Sequence, residues 1–111
     1  MPNEGVEIDT GIKWFDGKTI YKKFIRVDLG TNSLNTDINI GASKFEYLWF
    51  DYMSSLYSYK GADVYWYPIN FKNDTSYINS FVHGDELSLY VSDTFKGWRN
   101  IFYMTLIYVK K

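Results

Sequence analysis

The sequence predicts an all-β domain, a compact antiparallel β-sandwich of jelly-roll-like type that begins with a hairpin. Aromatic residues favour strands, and they make up 21% of the 111 residues. Short apolar runs recur roughly every ten residues and are separated by turns rich in Gly, Asn and Asp. No segment combines a 3.6-residue apolar period with helix caps over three turns, so the helical alternative is disfavoured.

The first element is a hairpin centred on Asp16-Gly17. This dipeptide is typical of a two-residue type I′ turn, in which both central residues take positive φ. A two-residue loop fixes the register of the strands. The cross-strand pairs that follow from it are Phe15–Lys18, Trp14–Thr19, Lys13–Ile20 and Ile12–Tyr21. We expect Trp14 to pack across this strand pair rather than to contact a ligand.

Residues 1–11 are polar and are predicted to form a lead-in segment, and residues 12–111 are predicted to form a single β-sandwich domain. Further strands are predicted at 20–29, 36–40, 45–59, 63–70, 77–82, 86–92 and 101–109. The clearest alternation places Leu87, Leu89 and Val91 on one face of a half-exposed antiparallel strand. Pro68 has no N–H, which predicts that its strand ends at a sheet edge or a bulge.

Charge and composition disfavour several functions. The formal net charge is −1, with 12 basic and 13 acidic residues and no long block of either sign. A nucleic-acid or anionic-membrane surface needs a concentrated basic patch, so we expect neither partner. Cysteine is absent, which excludes disulfides and cysteine metal sites. No apolar run approaches the roughly 20 residues of a membrane span, and the first residues do not resemble a signal peptide.

The sequence shows no recognisable catalytic pattern. His83 is the only histidine and precedes Gly84-Asp85 in a predicted turn, where no nucleophile accompanies it. Asp85 and Glu86 would lie on opposite sides of a strand, so they cannot face one another as a glycosidase pair does. There is no nucleophile elbow, no phosphate-binding glycine loop and no cluster at metal-ligand spacing. We therefore expect no enzymatic activity, no cofactor and no metal.

Residues 14–23 read Trp-Phe-Asp-Gly-Lys-Thr-Ile-Tyr-Lys-Lys. They resemble a motif, Trp-x-Asp-Gly-Lys-x-Ile-Tyr-x-Lys, of C-terminal receptor-binding domains in phage tail-fibre and baseplate proteins. The last strand of those proteins often closes on Tyr-x-Lys, and residues 108–110 here are Tyr-Val-Lys. The resemblance covers about residues 10–111, and its specific parts are the hairpin motif and the chain end.

The resemblance implies a β-sandwich at the distal end of a phage tail that is usually trimeric and adheres to bacterial surface saccharides. We therefore expect a homotrimer of the virion, made in the host cytoplasm, whose partners are a surface saccharide and other tail or baseplate proteins. The chain departs from the usual pattern in being short and beginning with its own Met1, as an excised domain or a small standalone protein would.

Two other functions stay open. The alternative is a structural protein of the virion, in the tail, the baseplate or a decoration, that uses its aromatic surface only for assembly. A third class is a small hydrolase that acts on cell-wall glycans.

Candidate ligand residues lie between Tyr65 and Arg99. An aromatic ring can stack on the CH side of a pyranose, while planar polar groups bind its hydroxyls. Trp98 lies between Gly97 and Arg99 in a predicted loop, where alternation does not require burial, although a plug between strands is the structural alternative. The predicted carbohydrate-binding residues are Trp98, Arg99, Asp93, Tyr67 and Tyr65. Within Tyr65-Trp66-Tyr67, at least one ring must lie away from the core.

Overall fold

The computed structural model describes residues 5–51 and 54–111. Within these ranges the chain forms strands joined by turns and two short 3₁₀ helices at Ala42–Lys44 and Asp93–Phe95. The strands are β1 Ile8–Lys13, β2 Thr19–Asp28, β3 Asn35–Asn39, β4 Phe45–Phe50, β5 Ser55–Lys60, β6 Asp63–Pro68, β7 Ile78–His83, β8 Glu86–Val91 and β9 Arg99–Lys110. Residues 1–4 of the predicted lead-in and 52–53 of the predicted 45–59 strand lie outside the described residues. The described residues contain no helix long and apolar enough to cross a membrane.

The strands form two antiparallel sheets, which confirms the predicted all-β class. The larger sheet has the order β1-β2-β9-β5-β6, with β4 also paired to β9, and the smaller sheet has the order β3-β8-β7. One side of β9 pairs with β2 from Ile101 to Val109. Its other side is shared, because β5 pairs with residues 99–103 and β4 with residues 106–110. The strand at the centre of the larger sheet is therefore the last one in the chain.

The core lies between the two sheets. Leu87, Leu89 and Val91 of β8 are buried, as their alternation predicts, and they share one apolar cluster with Leu56 of β5 and Phe102 of β9. The inner face of β9 is given by its even-numbered residues, because these align with the inner residues of β2 and β5. Burial of one face from each sheet is the arrangement that defines a sandwich.

The predicted single strand at 45–59 is wrong. The chain forms β4 and β5 there, and both strands pair with the same side of β9. The Asp51 N–H donates to the Thr105 carbonyl at 2.9 Å, and the Thr105 N–H donates to the Ser54 hydroxyl at 2.9 Å. Rings from both strands fall on both faces, so no alternation marks the break between them.

The hairpin is present, but its predicted register is wrong. Lys13 aligns with Thr19, the Trp14 N–H donates to the Lys18 carbonyl at 2.8 Å, and the Gly17 N–H donates to the Trp14 carbonyl at 2.9 Å. Gly17 has φ 86°, whereas Asp16 does not take a positive φ. This is the pattern of a type I turn followed by a left-handed glycine bulge, which adds one loop residue. The Asp16 carboxylate stabilises it by accepting from the Lys18 N–H at 2.9 Å.

Trp14 also has different neighbours from those expected. Its ring lies 5.3 Å from that of Tyr47 and 5.4 Å from that of Trp49, both on β4, rather than across the hairpin. An ion pair of 2.6 Å between Lys18 and Glu46 holds the same two segments together. A bulge in β1 between Asp9 and Lys13 changes the course of that strand near its end. The hairpin therefore packs against β4, which is not its neighbour in the sheet.

The described part of the lead-in belongs to the larger sheet. β1 begins at Ile8, and the Gly5 N–H donates to the Phe24 carbonyl at 2.7 Å. The Glu7 carboxylate accepts from the Tyr108 hydroxyl and from the Lys110 ammonium group, each at 2.7 Å. Residues from Gly5 onward are thus bonded to β2 and β9.

The turn predicts that substitutions at Asp16 and at Gly17 both lower stability. Gly17→Ala should lower the free energy of unfolding by about 1–2 kcal/mol, because alanine is strained at positive φ. Asp16→Gly should lower it by about 0.5–1.5 kcal/mol, because the bond to the Lys18 N–H is lost. A type I′ turn would instead make Asp16→Gly neutral or stabilising, since glycine suits positive φ. Urea unfolding measures both, and Asn32→Ala, at an exposed residue of another turn, is the control.

Candidate functional site

A ring-lined cleft opens at one end of the sandwich, where β6 meets the loops before β7 and β9. Its volume is about 220 Å³. Its wall combines aromatic rings with hydroxyl groups and contains no charged side chain. The residues that line it are Ser58, Tyr65, Tyr67, Ser76, Thr94, Phe95 and Trp98.

Strand alternation on β6 places two of the rings. Tyr65 aligns with Ser58 and Tyr67 with Leu56, so both tyrosines project from the inner face of the larger sheet. Their ring centroids are 6.0 Å apart. Because β6 is an edge strand that extends beyond the shared core, Tyr65 keeps 48% of its surface exposed. The position of Pro68 at the end of this edge strand confirms its prediction.

Trp98 enters the cleft from the loop before β9. Its ring centroid lies 5.6 Å from that of Tyr65, and the Trp98 N–H donates to the Phe95 carbonyl at 3.0 Å. The Asn100 amide is fully buried beneath this loop and donates to the Trp98 carbonyl at 3.1 Å and to the Phe95 carbonyl at 3.4 Å. Its oxygen accepts from the Ser58 hydroxyl at 2.8 Å. Asn100 therefore links the loop that carries Trp98 to Ser58 of β5.

The hydroxyl side of the cleft is held by a short network. The Thr94 hydroxyl donates to the Ser76 hydroxyl at 2.9 Å, and it lies 2.7 Å from the Ser92 hydroxyl. The Ser92 hydroxyl in turn accepts from the Tyr77 N–H at 3.0 Å. These contacts join the loop before β7 to the loop after β8. Ser76 and Thr94 are thus placed opposite the rings with polar groups at the surface.

The structure brings together three of the five predicted ligand residues. Tyr65, Tyr67 and Trp98 line the same cleft. Asp93 does not line it: Asp93 is exposed at the start of the 3₁₀ helix, and its neighbour Thr94 takes the place in the wall. Arg99 also lies outside this wall, so the planar charged groups expected beside the rings are not part of the cleft.

Arg99 is instead bonded to Asp28 on β2. The Arg99 Nε donates to Asp28 at 3.1 Å, and the second guanidinium nitrogen contacts the same carboxylate. These bonds lower the pKa of Asp28 below the ordinary value of an aspartate and raise the pKa of Arg99 above the ordinary value of an arginine. Arg99 aligns with Tyr59 and thus projects from the outer face, opposite to Ser58 and Asn100. Arg99 and Asn100 are consecutive residues of β9, so their side chains lie on opposite faces, and that of Arg99 points away from the cleft.

Sequence reasoning missed Phe95, Ser58, Ser76 and Thr94. Phe95 packs edge-on against Tyr67 at 5.4 Å and forms the base of the cleft. Ser58 could have been found from strand pairing, since it opposes both Tyr65 and Asn100. Ser76 and Thr94 come from separate loops, and no local pattern links them. Their proximity follows from the pairing of β7 with β8, which aligns Ile78 with Val91 and so brings the residues before β7 beside those after β8.

The cleft can bind by stacking and neutral hydrogen bonds. Its lining contains no carboxylate, imidazole or ammonium group that could transfer a proton. Among the described residues, no group of three His, Cys, Asp or Glu side chains is placed to hold a metal ion. His83 lies at the β7–β8 turn, where it aligns with Glu86, and does not line the cleft. The rings and hydroxyl groups of the lining suit stacking and hydrogen bonding with a neutral, partly apolar molecule.

No protein-family model, curated protein or solved structure matches the chain.

Asn100→Ala should lower the free energy of unfolding by about 1–3 kcal/mol, because it leaves buried polar groups without partners. The loop from Phe95 to Trp98 should also exchange its amide hydrogens faster, since Asn100 bonds to both of these carbonyls. Urea unfolding and hydrogen exchange measure the two effects. Asn35→Ala, at an exposed position of β3, is the matched control. Unchanged exchange in the Asn100 variant would show that the loop is held by other contacts.

The ion pair between Asp28 and Arg99 predicts a dependence of stability on pH. The folded pKa of Asp28 lies below its ordinary value of 3.8, so its stabilising effect is present above about pH 4 and is lost as the pH falls through the folded pKa. Asp28→Asn should lower stability modestly at neutral pH and flatten its fall between about pH 5 and pH 2. Arg99→Gln should flatten the same curve. Urea midpoints over this range test it, and curves parallel to that of the unchanged protein would contradict it.

Proposed function

We propose that this protein is a non-enzymatic carbohydrate-binding domain that recognises a bacterial cell-surface saccharide through the cleft of Tyr65, Tyr67 and Trp98. The observation that carries the proposal is the convergence of these three rings, from a strand and a separate loop, on an uncharged opening with hydroxyl groups opposite. Tyr65 keeps 48% of its surface exposed, so its ring is accessible from solvent.

The composition of the wall favours a sugar over other ligands. A pyranose has an apolar CH side that packs on aromatic rings, and its hydroxyls exchange hydrogen bonds with hydroxyl side chains. Ser76 and Thr94 supply such groups at the edge, and the tyrosine hydroxyls add further donors and acceptors. An anionic ligand would need a cation in the wall, and none of the lining residues is one. An uncharged saccharide fits both halves of the lining.

The proposed setting is the tail of a phage, where the domain is a homotrimer in the virion and acts with other tail or baseplate proteins. The support is the resemblance of residues 14–23 and of the Tyr-Val-Lys chain end to receptor-binding domains of phage tails. A shallow site of about 220 Å³ binds one sugar weakly. A trimer presents three such sites to a surface with repeated saccharides, and avidity then supplies the affinity.

A second candidate function is assembly alone, as a structural component of the virion. The specific observation that favours it is a ring patch on the outer face of the larger sheet. Trp66 is 60% exposed there and lies 4.4 Å from the ring of Tyr57 and 5.9 Å from that of Tyr103. Exposed aromatic clusters are typical of protein interfaces. Trp66 points away from Tyr65 and Tyr67, so the two candidate functions use opposite faces of β6.

The opposite faces of β6 allow the two functions to be tested separately. Trp98→Ala should reduce binding to a bacterial polysaccharide array about five- to thirtyfold, because the loss of one stacked ring removes about 1–2 kcal/mol. Trp66→Ala is the matched control, since it removes a tryptophan of higher exposure from the other face. Its affinity for a short saccharide, to which avidity does not contribute, should be unchanged. No binding by the unchanged protein, or equal binding by the Trp98 variant, would contradict the proposal.

Sedimentation of the same variants tests the outer patch and the trimer. If the patch forms the subunit interface, Trp66→Ala should reduce the sedimenting mass toward that of the 13.1 kDa chain, whereas Trp98→Ala should not. A clean monomer for the unchanged protein would contradict the trimer without bearing on the cleft. Release of reducing sugar from a bound polysaccharide would instead favour the hydrolase class over a binding domain.

A further inference from the structure

A second cleft adjoins the first on the other side of the segment from Asn70 to Tyr77. It has a volume of about 410 Å³ and lies against the outer face of β7 and β8. Two exposed or half-buried tyrosines, two asparagines and one lysine contribute to it. Its main lining residues are Asn70, Phe71, Lys72, Tyr77, Asn79 and Tyr90.

The wall of this second cleft is held in place by hydrogen bonds. Asn70 has φ 62°, an uncommon conformation, and its side-chain oxygen accepts from the Ser80 N–H at 2.9 Å and from the Ser80 hydroxyl at 3.2 Å. The Asn79 amide donates to the Tyr90 hydroxyl at 2.7 Å. The rings of Tyr77 and Tyr90 meet edge to face at 5.9 Å. Rings and amides are thus fixed beside one another before any ligand binds.

The two clefts share a boundary. Ser76 lines the first cleft, and the next residue, Tyr77, lines the second. On the inner side, Phe71 of the second cleft has its ring 5.2 Å from that of Tyr67, which lines the first. Ring contacts of 5.2 to 6.0 Å therefore connect Trp98, Tyr65, Tyr67 and Phe71 in sequence. Residues of the segment 71–77 thus contribute to both openings.

From this arrangement we infer that the ligand is an extended saccharide chain that occupies both clefts, rather than a single terminal sugar. The inference rests on the proposed function of the first cleft and adds the second as a further subsite. Its wall also combines aromatic rings with neutral polar groups, here amides and tyrosine hydroxyls, with Lys72 beside them. Tyr77 supplies a 43% exposed ring next to Ser76 of the first cleft.

The charge of the second cleft is compatible with a neutral or mildly acidic sugar unit. Lys72 is its only charged lining residue and is exposed at the edge. The side-chain nitrogen of Asn79 donates to the Tyr90 hydroxyl, and the side-chain oxygen of Asn79 can accept a hydrogen bond from a sugar hydroxyl. A peptide strand would bind instead through backbone groups at a sheet edge, but Asn79 and Tyr90 of this cleft project from the face of β7 and β8. An aromatic ring on a sheet face favours stacking with the ring of a sugar.

The test is the dependence of affinity on ligand length. Size-fractionated fragments of bacterial surface polysaccharide, from disaccharides upward, are titrated by calorimetry against the full chain. Affinity should rise with length until both clefts are filled. Tyr77→Ala should then lower the affinity for long fragments about tenfold, and it should leave the affinity for the shortest bound fragment unchanged. Trp98→Ala should lower the affinity for fragments of every length.

Tyr47→Ala is the matched control. Tyr47 is 43% exposed, as Tyr77 is, but it lies on β4 and lines neither cleft, so its variant should bind like the unchanged protein at every length. If Tyr77→Ala binds long fragments normally while Trp98→Ala does not, the second subsite is refuted and the first cleft stands. If Tyr47→Ala and Tyr77→Ala lose equal affinity, the effect is not specific to the cleft, and the inference fails. If Trp98→Ala has no effect or no fragment binds, the proposed function fails.

Discussion

The pairing of β9 on both sides is the constraint on which the rest of the structure depends. β9 is the longest strand, and β2 pairs with one side of it while β4 and β5 divide the other side. The inward residues of β9 therefore lie next to residues of β2 on one side and of β4 or β5 on the other. Phe102 and Met104 anchor the shared core, whereas Asn100 at the start of β9 reaches the loop of Trp98. The same strand therefore sets both the core and the position of the candidate site.

The high aromatic content has a structural explanation that differs between the two faces. Along β6, alternation sends Tyr65 and Tyr67 to the cleft and Trp66 to the outer patch. At the other end of the larger sheet, Trp14 packs on β4, and Tyr108 stacks on Phe45 at 4.1 Å. A small sandwich cannot bury this many rings between its two sheets, so rings also cover the parts of the larger sheet that the smaller one does not reach. The rings left partly exposed are the ones available for binding.

The sequence predicted those features that depend on local patterns. The buried face of β8 follows from the alternation of Leu87, Leu89 and Val91, and the edge position of β6 follows from Pro68. The register of the hairpin could not be read from Asp16-Gly17, because the same dipeptide suits a two-residue turn and a type I turn with a glycine bulge. The break between β4 and β5 depends on bonds to Thr105, more than fifty residues away along the chain. Long-range pairing decided both points.

The candidate site also depends on contacts between residues that are distant in the sequence. Tyr65, Tyr67 and Trp98 were identifiable because edge strands and loops expose rings, but the hydroxyl groups opposite them come from loops that only the folded chain brings together. Arg99 follows Trp98 in the sequence and is predicted to bind a sugar with its guanidinium group. Its side chain lies instead on the outer face of the larger sheet, where it bonds to Asp28. The fully buried Asn100 then fixes the loop from within, so the ring of Trp98 is positioned before a ligand arrives. A preorganised ring loses little entropy on binding, which is what a shallow cleft requires if stacking is to give useful affinity.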